Sequence, residues 1–154
     1  MKTSITSFAA VLAAMCVFSS PAPAQLIIGH RGASHDAPEN TIASYKLALH
    51  QGADGFEGDY WLNASGRILD LHDKDTKRVA GKKLVVTTAP FNQLRSLDLG
   101  IRKDPKWRGE RMPTLEEVLA IVPADKKVFI ELKSGPEIVA PMAKVLAASH
   151  VSPE

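Results

Sequence analysis

The chain has 154 residues with 19 Lys+Arg against 17 Asp+Glu, and a net charge of +2 excludes the basic footprint of a nucleic-acid binder. Hydrophobic residues make up 45% and charged residues 23%, the balance of a globular domain and not of a disordered chain. The one cysteine, Cys16, leaves no pair for a disulfide and no set for a zinc–thiolate centre.

The chain opens on Lys2, followed by the apolar stretch Phe8 to Phe18, which is too short to cross a bilayer. Ser19-Ser20-Pro21 then breaks the helix, and Ala22-Pro23-Ala24 offers the small-x-small pattern that a signal peptidase accepts. This predicts an export signal over residues 1–24, a mature chain beginning at Gln25, and a periplasmic or secreted destination. Cys16 would leave with that segment, and cysteine nucleophiles with it. A lipoprotein signal is the rival, but Met15 is bulky where a small residue should precede the cysteine. No later apolar run approaches the roughly 18 residues of a transmembrane helix.

The run Leu26 to Gly29, closed by His30, reads as a strand buried on both faces. Thr41 to Gln51 carries Ile42, Tyr45, Ala48 and Leu49 at helical spacing, with Asn40 or Thr41 as cap and Gly52 as stop. Gly55 to Trp61 reads as a second strand. The turn Asn63-Ala64-Ser65-Gly66 leads into another extended run, Arg67 to His72. Pro90 to Leu99 predicts a short helix, and Gly100 to Met112 one surface loop. Thr114-Leu115-Glu116-Glu117 is a capping box opening a helix over Leu115–Ile121. Val128 to Leu132 is the next strand, and a last helix starts near Pro136 with Ile138, Val139, Met142, Val145 and Leu146 on its apolar face. Strands alternating with helices predict an α/β fold with a parallel sheet and right-handed crossovers.

Chemistry-bearing residues fall at or just after the carboxyl ends of those strands: His30, the pair Glu57/Asp59, His72 and Glu131. In parallel α/β folds ligands bind on that side of the sheet. Residues two apart on a strand share a face, so Glu57 and Asp59 project together and need a cation or a retained proton between them. Glu131, inside an apolar run, would be costly to bury unpaired. Three carboxylates around one hard divalent cation answer all three problems, and oxygen ligands favour Ca²⁺ or Mg²⁺. The alternative is a structural salt bridge, such as Glu131 with Lys133 or Arg31. His30 and His72 beside the acids suit a general acid and base, although a histidine ending a strand is often only a turn residue. Arg31 offers a planar fork for a phosphate, or else a surface ion pair. His35 and His50 carry no assigned role, and the sequon Asn63-Ala64-Ser65 carries no weight.

Gly29-His30-Arg31-Gly32-Ala33, followed by Pro38-Glu39-Asn40-Thr41, resembles the start of the glycerophosphodiester phosphodiesterase family. Gly52 to Asp59, His72-Asp73, Gly109 to Val118 and Ile130-Glu131-Leu132-Lys133 continue the resemblance in the family's order, from about Ile27 to Lys133. The resemblance implies a TIM (β/α)8 barrel that hydrolyses glycerophosphodiesters to an alcohol and glycerol 3-phosphate with a bound divalent cation. It places Glu57, Asp59 and Glu131 on the metal, His30 and His72 as acid and base, Arg31 on the phosphate, and Glu39 and Lys133 along the site. A related substrate class is lysophospholipid or sphingomyelin, and a truncated inactive fragment is the non-catalytic alternative. The pattern departs at Gly58, where the family usually has an apolar side chain, which leaves a gap facing the helices. The stretch between His72 and Pro90 is short for the family's inserted subdomain. A closed barrel takes about 250 residues. The expectation for residues 25–154 is therefore a partial domain: an amino-terminal half of about three β/α units that alone is unstable, aggregation-prone or dependent on a partner half, with a dimer of two half-barrels as the alternative.

Overall fold

In the computed structural model, which describes residues 25–152, strand β1 (Ile28–Gly29) runs parallel to strand β2 (Gly55–Leu62). The expected export signal lies outside the described residues. Helix α1 (Ile42–His50) makes the crossover; Thr41 caps it, its side chain accepting from the Ser44 amide. Strand β3 (Ile68–Asp70) returns antiparallel to the end of β2, and β4 (Lys127–Leu132) pairs with β2 in parallel on the other edge. Every strand of the sheet therefore bonds to β2. Between β3 and β4 lie the short helices α2 (Lys77–Ala80), α3 (Phe91–Ser96) and α4 (Leu115–Leu119), and α5 (Val139–Ala148) follows β4. The predicted α/β architecture with a parallel sheet is present, with β3 as its antiparallel exception.

Side chains at even positions of β2 face the helices. Phe56 stacks on Tyr45 of α1 with ring centroids 4.1 Å apart, and Val118 and Val122 complete that cluster. Tyr60 packs with Ile68, Leu115, Leu119, Ile138 and Met142. A third cluster, Leu69, Leu71, Val86, Leu94, Leu99 and Met112, lies under the segment between β3 and α4. The α4 cap is the predicted box: Thr114 accepts from the Glu117 amide, and the Glu117 carboxylate accepts from the Thr114 amide. Asn63 of the sequon is turned inward, its amide donating to the carbonyls of Val86 and Ala89.

Two expectations fail in detail, on the first strand and on the long loop, and β4 is barer than its composition suggests. The first strand is two residues long, and Leu26 and Ile27 are 46% and 65% exposed rather than buried on both faces. Along β4, Phe129 and Leu132 are each 46% exposed, so the run is apolar without being covered. The segment read as a single loop, Gly100 to Met112, contains a 3-10 turn at Pro105–Trp107 and ends on fully buried Met112. Trp107 pins it to the first βα loop by donating to the Asp36 carbonyl. Periodicity registers side-chain type and not cover, which depends on what packs across the strand.

Candidate metal centre and acid–base site

The odd positions of β2 point away from the helices, and β4 brings Glu131 beside Asp59 in register. Glu57, Asp59 and Glu131 each offer a carboxylate oxygen within 4.8 Å of the others. Glu131 is largely exposed at 53% of its side chain, so the burial argument made for it from sequence does not hold; the convergence does. Asp59 is 1% exposed and Glu57 16%.

The backbone around this centre is held in an uncommon shape. Arg31 and Asn40 adopt left-handed conformations, with φ of 55° and 53°, which non-glycine residues do at some cost. At Arg31 this turns the amide toward Glu57, donating to Oε2 at 3.0 Å. At Asn40 it sends the side-chain amide to Asp59 Oδ2 at 2.9 Å. Gly32 follows with φ 77°, and a Cβ there would stand 2.2 Å from Ser44 Oγ, so the close approach of the loop to α1 requires glycine.

The donor set fits a hard cation. It is all oxygen, and Glu57 Oε1 is buried without a hydrogen-bond partner. Asp59 Oδ1 also accepts no hydrogen bond; the Lys133 ammonium lies 2.9 Å away as an ion pair and bonds to Glu131 at 2.5 Å. The salt bridge weighed from sequence, Glu131 with Lys133, is thus real and sits inside the acidic cluster. Burial raises the Glu57 carboxyl above its usual range against the Arg31 amide, and the charges of Asp59 and Glu131 push the same way. Burial would raise Asp59 as well, but Asn40 and Lys133 overcome it and hold that carboxyl low.

The remaining predicted residues gather at the same place. The His30 ring is 70% exposed, with Nε2 3.9 Å from Glu57 Oε2. His72 Nδ1 lies 2.9 Å from Asp73 Oδ1, leaving Nε2 without a partner among the described hydrogen bonds. Arg31 Nη1 donates to Glu39 Oε1 at 3.1 Å, and its Nε stands 3.5 Å from Asp59 Oδ2.

Sequence reasoning missed Asn40 as an Asp59 partner, having read it as a cap. It also missed Asp70 and Tyr45. Asp70 is fully buried, accepts from the Asp59 amide through Oδ1 at 3.2 Å and from the Tyr45 hydroxyl through Oδ2 at 2.5 Å. Burial pushes its carboxyl well up. The signal was present at Gly58: a Cβ there would meet the Tyr45 hydroxyl at 2.3 Å and the Tyr60 hydroxyl at 2.9 Å. The gap facing the helices is real, and polar groups fill it.

The family model for the glycerophosphoryl diester phosphodiesterase family matches residues 30–151. A glycerophosphodiester phosphodiesterase of Caldanaerobacter subterraneus subsp. tengcongensis is 41% identical over 111 residues, covering 71% of this chain and 46% of the relative. Among solved structures, an Oleispira antarctica phosphodiesterase in complex with the product sn-glycerol-3-phosphate superposes with a TM-score of 0.76 at 31% identity, over 81% of this chain and 53% of that one. A glycerophosphodiester phosphodiesterase from Agrobacterium tumefaciens gives 0.72 at 32% identity, over 79% and 54%. The chain spans about half the length of the relatives it matches. It belongs to the glycerophosphoryl diester phosphodiesterase family.

Proposed function

We propose that this chain carries the metal and proton-transfer half of an exported phosphodiesterase, hydrolysing glycerophosphodiesters to an alcohol and glycerol 3-phosphate. The observation that carries the reading is the convergence of Glu57, Asp59 and Glu131, with a buried Glu57 oxygen lacking a partner, beside His30, His72 and Arg31. A divalent cation, Ca²⁺ or Mg²⁺, held by the three carboxylates would supply positive charge against the phosphoryl oxygens. Arg31, tethered by Glu39, presents its fork to the phosphate. The Asp73 carboxylate, accepting from His72 Nδ1–H, keeps Nε2 available to transfer a proton. His30, exposed on the other side of Glu57, serves the second proton transfer. Lys133 adds charge beside Asp59 and lines the path to the phosphate.

The match spans about half the length of these relatives, which supports a further part of this reading: the chain corresponds to the amino-terminal portion of a (β/α)8 barrel. Export, with Gln25 as the mature terminus, belongs to the same proposal, and amino-terminal sequencing checks it. The activity is tested by following glycerol 3-phosphate release from glycerophosphocholine, with Ca²⁺, with Mg²⁺ and with EDTA. Release that EDTA abolishes and either metal restores is expected. A folded, metal-loaded protein that releases nothing overturns the assignment.

A further inference from the structure

Arg78 belongs to none of the motifs that carry the family resemblance, yet it is the most heavily engaged side chain near the site. From α2 its Nη1 and Nη2 each donate to Glu39 at 2.7 Å, a two-pronged grip across 39 residues of sequence. Its Nε donates to Asp73 Oδ2 at 2.8 Å and its Nη2 to Asp73 Oδ1 at 3.3 Å. Each of these carboxylates has a second partner in the site: Glu39 accepts from Arg31, and Asp73 meets His72 Nδ1. Among the described hydrogen bonds, Arg78 is what joins the His72 side of the site to the Arg31 side.

We propose that Arg78 is a positioning residue, one guanidinium that holds Glu39 and Asp73 together and thereby fixes the His72 ring and the Arg31 fork relative to each other. The proposal rests on His72 acting in proton transfer. Three guanidinium nitrogens serve two carboxylates here, which the single nitrogen of a lysine cannot reproduce. The side chain is 48% exposed, where a simple ion pair contributes little. A doubly forked arrangement is different, because each carboxylate is already oriented by the other bonds it accepts. Arg102 steadies the base of the device from outside, its Nε donating to the Arg78 carbonyl. Loss of Arg78 leaves Asp73 free to rotate, and His72 then loses what selects its Nδ1–H tautomer.

The test joins ring spectroscopy with kinetics on the full chain. Nitrogen-15 NMR in mildly alkaline buffer, with His72→Gln identifying the signal, should show the Nδ1–H tautomer of His72. That preference should be lost in both Arg78→Ala and Asp73→Asn. Turnover of glycerophosphocholine should fall about 10- to 100-fold in Arg78→Ala, the usual weight of a group that orients another. Arg78→Lys should recover little of it, while millimolar guanidinium added to Arg78→Ala should restore it in part. A purely structural clamp would lower the melting temperature without altering the tautomer or responding to guanidinium. If Arg78→Ala folds poorly, Arg78→Lys gives the same ring readout. A wild-type His72 spectrum in these variants overturns the proposal. If the unmodified protein hydrolyses no diester, the functional reading fails while the spectrum still decides the role of Arg78.

Discussion

Asp59 answers to more neighbours than any other acid in the site. Asn40 binds one oxygen, Lys133 faces the other, and Asp70 takes the backbone amide. Replacing Glu57 by Gln or Asp59 by Asn removes charge without removing bulk, so both should weaken Ca²⁺ binding by calorimetry; unchanged affinity in the two would remove the site. Gly58 sets a different limit. Gly58→Ala should cost about 1–3 kcal/mol in urea unfolding, because the new methyl meets the Tyr45 hydroxyl in a packed interior. Tyr45→Phe withdraws that hydroxyl, so the double variant should be more stable than the sum of the two singles by about 0.5–3 kcal/mol. Additive losses would mean that the clash is not what makes glycine necessary.

At the scale of elements, α4 is tied to α3 by a fork: Arg95 donates to Glu117 at 2.6 and 2.7 Å, and Glu117 also closes the α4 capping box. Burial works against the Glu117 charge, but Arg95 and the Thr114 amide prevail and hold the carboxyl below its ordinary value of 4.5. A carboxylate depressed in the folded state contributes stability above its unfolded value, and that contribution disappears as pH falls through the folded value. Melting temperatures should therefore separate the parent from Glu117→Gln at neutral pH and converge well below pH 4.5. The separation will be small, since both side chains are over a third exposed. This element was legible from Thr114 and Glu117 alone, three residues apart, because a cap is a local bargain between neighbours. So was α1, from its spacing and Thr41. Helix α2 was not, since none of its four residues is fully buried: Val79 and Ala80 only lean on the third cluster, and Arg78 is placed by Glu39 and Asp73. The carboxylate trio could be read from strand-end placement, whereas Asn40, Asp70 and Arg78 owe their places to contacts that no spacing encodes.

Over the whole molecule, the apolar surface is unevenly covered. Phe129 and Leu132 stand exposed on β4, and Val139 on α5 is 56% exposed. Apolar side chains on a strand with only β2 beside it among the described strands invite association with another chain. Self-association through this face predicts that Phe129→Lys lowers the sedimentation coefficient of the protein toward that of a monomer, and an unchanged distribution would show that the face makes no such contact. The star-shaped pairing of the sheet has its own consequence for how the molecule comes apart. Because β1, β3 and β4 each bond to β2, any outer strand can open while β2 keeps its other partners. The amide protons of Phe56 to Tyr60 should then be the last to exchange with heavy water, long after those of β1. Glu57 and Asp59 lie within that stretch, so the acidic centre would survive the opening of β1 or β3, whereas the opening of β4 would carry Glu131 out of it.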